Sequence, residues 1–504
     1  MRITPFQTRT LFVSVFIIAI CGLIYELIVG ALSSYLWGNS VTHFSITIGL
    51  FMSAMGVGAF ASKRVKGKLL SAFILVEIGT GIVGGLSAAL LYAVFATSDY
   101  YYVAMVSLIL IIGAFIGMEI PLLTRLVGEH QSLKDASANV LAFDYIGALF
   151  ASILFPIVLL PQLGLLQTSF AMGLLNLTVV WMNLWVFRDH LKDAWELAGL
   201  SVLASIILLS GLLWSGQITS YFERRLYRDK IIYAQQTPYQ RIILTRWKDD
   251  VRLFLDGNLQ FSAQDEYRYH EMLVHPAMTF SRSRESILIL GGGDGLVIRE
   301  VLKYPDVQRI TLVDIDPAIT KLSRAHPAIS ALNQNSLDDP RVTLAHQDAY
   351  KFLEESSEQF GVIIIDLPDP NNESLGKLYS NSFYTLAQRH LAVGGVMVSQ
   401  ATSPYFARDA YWCIVHTAGS VGWHIVPYHT YVPSFGDWGF FLASQHRLKL
   451  DDFEAIVPTR YLTPEIFSAG RFFDSDSDEV ETEINTLDSQ ILMRYYEKGW
   501  QQWR

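Results

Sequence analysis

The sequence predicts a helical membrane domain followed by an α/β domain with a parallel sheet. Two observations lead to this fold class. Charged residues make up only 17% of the 504 residues, and the deficit lies almost wholly in the first 215; an ordinary soluble protein carries about 25%. From about residue 230 onward, short apolar runs alternate with segments of helical character. Such alternation indicates a parallel sheet covered by helices on both faces.

The N-terminal half contains seven apolar stretches that are long enough to span a bilayer, which takes about 20 residues. They cover residues 11–36, 43–62, 69–94, 101–127, 139–160, 164–186 and 197–214. We therefore expect a multi-pass protein of the cell (inner) membrane, with about seven spans and the lipid bilayer as a partner. The basic segments Ser62–Lys68 and Tyr221–Lys230 both favour the cytoplasm, whereas seven spans would separate them.

Four acidic residues interrupt these apolar stretches, namely Glu26, Glu77, Glu119 and Asp144. A carboxylate at the centre of a bilayer costs roughly 3 kcal/mol on insertion scales. Two interpretations stay open. The four side chains line a path or site for a cation, or they hold helices together by hydrogen bonds.

The domain boundaries follow from these changes in composition. We expect a transmembrane domain at 1–215, a linker with a small β-hairpin subdomain at 216–262, an α/β domain at 263–450, and an extension at 451–504 with the acidic segment Asp474–Glu483. The net charge of −9 argues against nucleic acid as a partner. Two cysteines, Cys21 and Cys413, do not make a disulfide framework.

A glycine-rich turn follows the first predicted strand of the α/β domain. The strands cover residues 286–291, 309–316, 341–349, 361–370 and 394–400. The turn, "GGGDG", carries Asp294 among its glycines, where a negative charge would harm phosphate binding. Asp314 lies 20 residues further on, which is typical of an acid that receives ribose hydroxyls.

Acidic residues also end the other strands. The second strand ends in Asp314 and Asp316, the third in Asp348, and the fourth in Asp366 and Asp369. Each of them alone has an alternative interpretation as a helix cap or turn residue. Because ligands of such sheets bind beyond the carboxyl ends of the strands, all of these acids converge on one crevice. This excess of acid indicates a positively charged ligand.

Over roughly residues 235–445, the sequence resembles the spermidine synthase (polyamine aminopropyltransferase) family. The resemblance rests on Tyr239-Gln240, Leu253–Pro276, Ile289–Val307, "LVDID", Gln347–Leu353, "IDLPDP" and Pro433–Phe440. The fused helices resemble a bacterial membrane-bound subgroup. The family implies a Rossmann-like sheet of the S-adenosylmethionine-dependent transferase type. It also implies transfer of an aminopropyl group from decarboxylated S-adenosylmethionine, as co-substrate, to putrescine or a related amine. The products are spermidine and 5'-methylthioadenosine.

The resemblance assigns roles to individual residues. Gln240 and Asp314 contact the methylthioadenosine part, Asp348 accepts from the adenine amine beside Ala349, and Asp294 holds the aminopropyl ammonium. Asp366 is the general base, and Tyr269, His270 and Asp369 belong to the amine end. Relatives often have glutamine at His270, and a tyrosine that touches the amine where this chain has Val432.

Asp294 has a simple chemical meaning under this resemblance. Ordinary S-adenosylmethionine ends in an amino acid with a carboxylate, whereas the decarboxylated form ends in an ammonium, so an aspartate attracts one and repels the other. No metal and no tightly bound cofactor is expected, and we expect a homo-oligomer, a dimer. The catalytic domain is expected in the cytoplasm, because a charged sulfonium substrate does not cross lipid unaided. The alternatives are a methyltransferase of the same sheet type and a non-catalytic amine transporter or sensor.

Overall fold

The computed structural model describes residues 4–37, 40–98, 100–128, 132–227, 229–489 and 491–503. The chain divides into two compact units, Met1–Arg228 and Asp229–Arg504. The first unit is helical, and the second contains both sheets of the described chain.

Eight helices form the described part of the first unit. They are α1 (Pro5–Trp37), α2 (Ser40–Ser62), α3 (Leu69–Thr97), α4 (Tyr101–Gly128), α5 (Leu133–Leu154), α6 (Leu160–Val186), α7 (Ala194–Leu213) and α8 (Ser215–Leu226). Helix α8 lies in the segment that the sequence predicted to be a linker. Six helical segments of the described chain are long and apolar enough to cross a membrane, by length and composition.

The predicted stretches 139–160 and 164–186 fall within one of these six segments, Lys134–Val186, which is why the count is lower than seven. A helix of its 53 residues would be about 80 Å long, more than twice the thickness of a bilayer core. The segment contains a π-helical turn at Phe155–Leu159, and Gly164 has a non-helical backbone with φ 70° and ψ 177°. The segment is therefore long enough to cross a membrane twice, once before Gly164 and once after it.

Two of the four acidic residues in the apolar stretches are buried among the helices. Asn176 donates to the Glu77 carboxylate at 3.1 Å, and Thr80 donates to the Glu119 carboxylate at 3.2 Å. These bonds join α3 to α6 and α3 to α4. For Glu77 and Glu119 they agree with the interpretation that the acids hold helices together. Glu26 and Asp144 are half-buried.

The second unit begins with a four-stranded antiparallel sheet in the order β1-β2-β3-β4, where the sequence predicted a small hairpin subdomain. Its strands are β1 (Lys230–Gln236), β2 (Arg241–Trp247), β3 (Asp250–Leu255) and β4 (Asn258–Ser262). Buried Ile242, Leu244 and Phe261 lie in one cluster with Leu296 and Ile319 of the following domain, so the small sheet packs on that domain.

The larger sheet has seven strands in the order β10-β11-β9-β8-β5-β6-β7. They are β5 (Ser286–Gly291), β6 (Arg309–Val313), β7 (Val342–Ala345), β8 (Phe360–Asp366), β9 (Leu391–Gln400), β10 (His424–Val432) and β11 (Gly436–Ser444). Strands β5 to β9 are parallel, and β11 runs antiparallel to both of its neighbours. The five predicted parallel strands are therefore present: β5 has the predicted bounds, β6, β7 and β8 are shorter, and β9 is longer.

Helices cover both faces of this sheet. They are α9 (Glu266–Phe280), α10 (Leu296–Val301), α11 (Pro317–Ala325), α12 (Pro327–Leu332), α13 (Ala349–Glu355), α14 (Glu373–Gly376), α15 (Asn381–His390), α16 (Arg408–Gly419), α17 (Pro464–Ala469) and α18 (Ile491–Gln501). Along β5, Leu288 and Leu290 enter one apolar cluster, whereas Ile287 and Ile289 enter the other. Alternate side chains of a strand point to opposite faces, so this strand is buried on both sides.

The chain order changes direction between β5 and β8. From β5 the chain continues to β6 and β7 on one side, and then returns to β8 and β9 on the other. Ligands of open α/β sheets bind at such a switch point, beyond the carboxyl ends of the strands. Gly291 pairs with Asp366 there, which places the glycine turn beside the end of β8.

Candidate active site

The glycine turn after β5 packs directly against two predicted site acids. A Cβ atom on Gly291 would lie 2.0 Å from the Asp366 carbonyl oxygen, and one on Gly293 would lie 2.5 Å from Asp314 Oδ2. Gly291 also has φ 86°, which disfavours other residues. Glycine is therefore required here because the backbone approaches these two residues so closely.

Asp294 is buried at the end of this turn, with 8% of its surface exposed. Its Oδ1 atom accepts from the Leu296 N–H at 2.8 Å, and its carbonyl accepts from Asn333 Nδ2 at 2.7 Å. Burial raises the pKa of Asp294 to about 6, although the nearby His270 opposes the rise. The carboxyl group is thus held in place, and it is ionised at neutral pH.

Asp366 ends β8 beside the turn and is bonded to helix α9. The Tyr269 hydroxyl donates to Asp366 Oδ1 at 2.6 Å, and Gly292 N–H donates to the Asp366 carbonyl at 3.1 Å. Burial raises the pKa of Asp366, whereas His270 and the Tyr269 hydrogen bond lower it in part. The structure therefore brings together Tyr269, which was assigned to the amine end, and Asp366, which was assigned as the general base.

His270 forms a buried ion-pair chain with two residues that the sequence analysis did not single out. Its Nδ1 atom lies 2.8 Å from Glu266 Oε2, and Arg299 holds the same carboxylate through two bonds of 2.8 and 2.9 Å. Burial alone would lower the pKa of His270, but Glu266 dominates and raises it to about 9. His270 is therefore a cation at neutral pH, and its charge acts on Asp294 and Asp366.

Asp314 and Gln240 lie on the other side of the turn and are held by different partners. Asp314 accepts from Gly293 N–H at 3.2 Å and from Asp316 N–H at 2.9 Å, and burial raises its pKa to about 6. Gln240 Nε2 donates to Asp316 Oδ2 at 3.0 Å, and Thr237 donates to the same atom at 2.8 Å. Gln240 is thus held by Asp316, the acid that caps α11.

Asp348 caps helix α13 and is paired with a lysine from the segment after β8. Its Oδ1 atom accepts from Tyr350 N–H at 2.8 Å, and Lys377 Nζ lies 2.6 Å from Oδ2. Burial opposes ionisation, but Lys377 lowers the pKa of Asp348 below its usual value. Ala349 is the buried first residue of α13. Lys377 therefore brings the segment 367–377 to the predicted adenine end.

Asp369 lies in a separate polar cluster beyond β8 and β9. Thr402 and Tyr496 hydroxyls each donate to its Oδ2 atom at 3.0 Å, while Gln400 Nε2 lies 3.5 Å from Oδ1. Burial raises the pKa of Asp369 to about 6, and these bonds oppose the rise. Thr402 is fully buried and has φ 60°, a left-handed conformation that a β-branched residue rarely adopts.

Comparisons with known proteins identify the family of this chain. A polyamine aminopropyltransferase from Leptospira interrogans is 45% identical over 491 residues, which cover 97% of this chain and 98% of the relative. The chain belongs to the polyamine aminopropyltransferase family. Polyamine aminopropyltransferase 2 of Ralstonia nicotianae is 46% identical over 501 residues, covering 97% of this chain and 98% of the relative. The family model of the spermine/spermidine synthase domain matches residues 266–454.

Solved structures include a spermidine synthase in complex with the transition state analogue AdoDATO. It is 25% identical, with a TM-score of 0.46, and covers 49% of this chain and 86% of that chain.

The predicted family, fold class and enzyme class are confirmed: the protein is an aminopropyltransferase. Among the described residues, no group of three or more His, Cys, Asp or Glu side chains has the arrangement of a metal site.

Several residues of this aminopropyltransferase site were absent from the sequence prediction. Gln400 had a usable signal, since it ends β9 as Asp366 ends β8. Arg299 is one turn after the glycine motif, where a charged residue reads as an exposed helix position. Tyr496 lies 127 residues from Asp369 and had no local signal.

Proposed function

We propose that this aminopropyltransferase moves the aminopropyl group of decarboxylated S-adenosylmethionine to putrescine. The products are spermidine and 5'-methylthioadenosine. The observation that supports this most is the charge at the switch point. Asp294 lies in a glycine turn that is flanked by Asp314 and Asp366, and the His270 cation acts on Asp294 and Asp366. A site with excess negative charge is complementary to a donor that carries both a sulfonium and an ammonium.

Asp294 is proposed to hold the donor's ammonium. Its carboxylate is fixed by the Leu296 N–H, so it needs no rearrangement to receive a cation at its free oxygen. A carboxylated donor would place two negative charges together in a buried site, which is costly. Asp314 is proposed to receive the ribose hydroxyls, with Gln240 at the methylthioadenosine part and Asp348 and Ala349 at the adenine.

Asp366 is proposed to be the general base. The acceptor nitrogen loses a proton to the carboxylate and attacks the carbon next to sulfur, so that a C–N bond forms as the C–S bond breaks. The electron pair of that bond neutralises the sulfonium, and methylthioadenosine leaves uncharged. The raised pKa of Asp366 supports this role, because a base works best when its pKa approaches the working pH. Tyr269 fixes the direction of the carboxylate through its 2.6 Å bond.

Asp369 is proposed to bind the second nitrogen of the acceptor. Putrescine is a diamine, so one carboxyl group, Asp366, serves the reacting nitrogen while Asp369 holds the ammonium at the far end. Burial raises the pKa of Asp369 to about 6, so the carboxyl group is ionised at neutral pH. A buried carboxylate is strongly stabilised by a cation beside it. This pairing favours a diamine over a monoamine of equal length.

We also propose that the enzyme is a multi-pass protein of the inner membrane with its catalytic unit in the cytoplasm. This placement requires an even number of crossings, which the six helical segments provide if each of them, including the long Lys134–Val186, crosses once. The basic loop Ser62–Lys68 and the last turn of α8, with Arg224 and Arg225, carry the charges that favour the cytoplasm.

The decisive experiment incubates the purified full-length protein with decarboxylated S-adenosylmethionine and a panel of mono-, di- and triamines. Mass spectrometry then identifies the products. We expect methylthioadenosine together with spermidine, with putrescine as the best acceptor. The Asp366→Asn variant is the matched control for background hydrolysis of the donor. If no amine gains an aminopropyl group, the proposal is wrong; a preference for another diamine would correct only the acceptor.

A further inference from the structure

Helix α18 brings a hydroxyl group to Asp369. Tyr496 on this helix is almost buried, with 9% of its surface exposed, and its hydroxyl lies 3.0 Å from Asp369 Oδ2. The helix is firmly attached to its unit. Ile491 and Leu492 lie in the apolar core, and the Trp500 ring stacks on Phe406 with centroids 5.3 Å apart. Tyr496 therefore has little freedom to move away from the carboxylate.

The two oxygens of Asp369 have different surroundings. Oδ2 receives two hydroxyl groups, from Tyr496 and Thr402, each at 3.0 Å. Oδ1 has only the Gln400 amide among its described hydrogen-bond partners, at the 3.5 Å limit of such a bond. A carboxylate anchored through one oxygen presents the other one in a fixed direction. Oδ1 is therefore the atom that is free to accept a strong bond from a cation.

We infer that Tyr496 is a positioning residue of the acceptor-amine site, which fixes Asp369 so that Oδ1 faces the distal ammonium of the acceptor. This inference rests on the proposed function, in which Asp369 binds that ammonium. Tyr496 acts through Asp369. At the donor end, the Asp294 and Asp314 carboxylates are held instead by the backbone N–H groups of Leu296, Gly293 and Asp316.

Removal of the hydroxyl should therefore separate the two substrates. In Tyr496→Phe the ring and the packing of α18 remain, but Asp369 loses one of its two anchors at Oδ2. A hydrogen bond to a charged group is worth about a tenfold change in binding or more. We expect the KM for the amine to rise about tenfold, with kcat and the affinity for methylthioadenosine nearly unchanged.

A second effect distinguishes positioning from mere packing. The Tyr496 hydrogen bond holds down the pKa of Asp369, which burial raises to about 6. The charge of Asp369 also helps to raise the pKa values of Tyr379 and Tyr269, so both of these neighbouring hydroxyls stay protonated across the neutral range. Without the Tyr496 hydroxyl the pKa rises further. The acidic limb of kcat/KM for the amine should then move to higher pH, whereas a purely structural role would leave it in place.

The experiment compares wild type, Tyr496→Phe and Tyr495→Phe as full-length proteins. Tyr495 is the adjacent residue of α18, and its hydroxyl contacts the Glu483 N–H at 3.5 Å. The measurements are amine KM, kcat, methylthioadenosine affinity by calorimetry, melting temperature and the pH profile. We expect changes in amine KM and in the acidic limb for Tyr496→Phe alone.

An unchanged amine KM and pH profile in Tyr496→Phe would overturn the inference. So would a loss of methylthioadenosine affinity or melting temperature that matches the loss of activity, because the residue would then be structural. If wild type itself uses no amine, the proposed function fails and this inference fails with it. If wild type turns over and Tyr496→Phe equals it, only this inference is wrong.

Discussion

Replacement of Asp294 by asparagine should remove most of the enzyme's ability to tell decarboxylated S-adenosylmethionine from the carboxylated form. The substitution keeps the local structure, because the asparagine carbonyl can still accept from the Leu296 N–H that now bonds Oδ1 at 2.8 Å. What it removes is the negative charge in a buried position. The effect is therefore electrostatic and specific to the end of the donor that differs between the two forms.

The size of the effect follows from the charges. Two unit charges about 4 Å apart at an effective dielectric of about 20 interact by about 4 kcal/mol. Attraction of the ammonium and repulsion of the carboxylate thus differ by up to about 8 kcal/mol, before the His270 cation and solvent reduce the difference. If a third of it survives, the ratio of the two affinities changes by about a hundredfold.

The wild-type enzyme provides a second test through pH. Because burial raises the pKa of Asp294 to about 6, its charge is present above that pH and is lost as the pH falls through it. The affinity ratio of the two donor forms should therefore shrink in wild type between about pH 7.5 and pH 5, and stay flat in Asp294→Asn.

Competition against labelled methylthioadenosine measures both affinities. Asp314→Asn is the matched control, since it should weaken both donor forms equally at their common ribose. An affinity ratio in Asp294→Asn equal to that of wild type would refute the proposed role of the carboxylate in the glycine turn.

The remaining predictions concern the base, the buried cation and the membrane. Asp366→Asn should reduce turnover by about 10²–10⁴-fold and leave methylthioadenosine affinity nearly intact, as single-turnover kinetics and calorimetry would show; wild-type rates would exclude Asp366 as the base. His270 has its pKa raised from 6.5 to about 9, so its stabilising charge is complete below pH 6.5 and is lost as pH rises through 9. The free energy of unfolding should therefore fall by up to about 3 kcal/mol over that range in the wild type, and the melting temperature should fall with it. In His270→Gln this fall should be smaller; the same pH dependence as in the wild type would contradict the prediction. A cytoplasm-specific fluorescent reporter fused after residue 504 should be active and an external reporter silent; the reverse would place the catalytic unit outside.

The parallel sheet and the acids at its edge could be predicted because both follow from local patterns. Buried parallel strands are continuous apolar runs, and their carboxyl ends share one edge of the sheet. Asp366 and Asp314 were found in this way, and the structure places both against the glycine turn. The small β-subdomain before this sheet was also predicted from the local pattern, and it forms a sheet of four strands.

Contacts between distant segments could not be predicted in the same way. The Lys377 pairing with Asp348 joins a loop to a helix cap 29 residues away, and Tyr496 reaches Asp369 over 127 residues. The sequence around each residue does not indicate such a partner. Lys377 directly follows the short helix α14, and Tyr496 is one of several aromatic residues on the amphipathic helix α18. His270 shows the same limit, since its charge depends on the neighbouring carboxylates of Glu266, Asp294 and Asp366 and not on its own identity.

The backbone of Thr402 sets a limit on how far this enzyme can be stabilised without harm. A left-handed conformation costs a non-glycine residue about 1–3 kcal/mol, so glycine at this position would relieve strain at φ 60°. The same change would remove the hydroxyl that holds Asp369 at 3.0 Å. A search for thermostable variants would thus act against the proposed acceptor end of the site, because the strained residue Thr402 also anchors the Asp369 carboxylate. Stability and turnover compete at this single position.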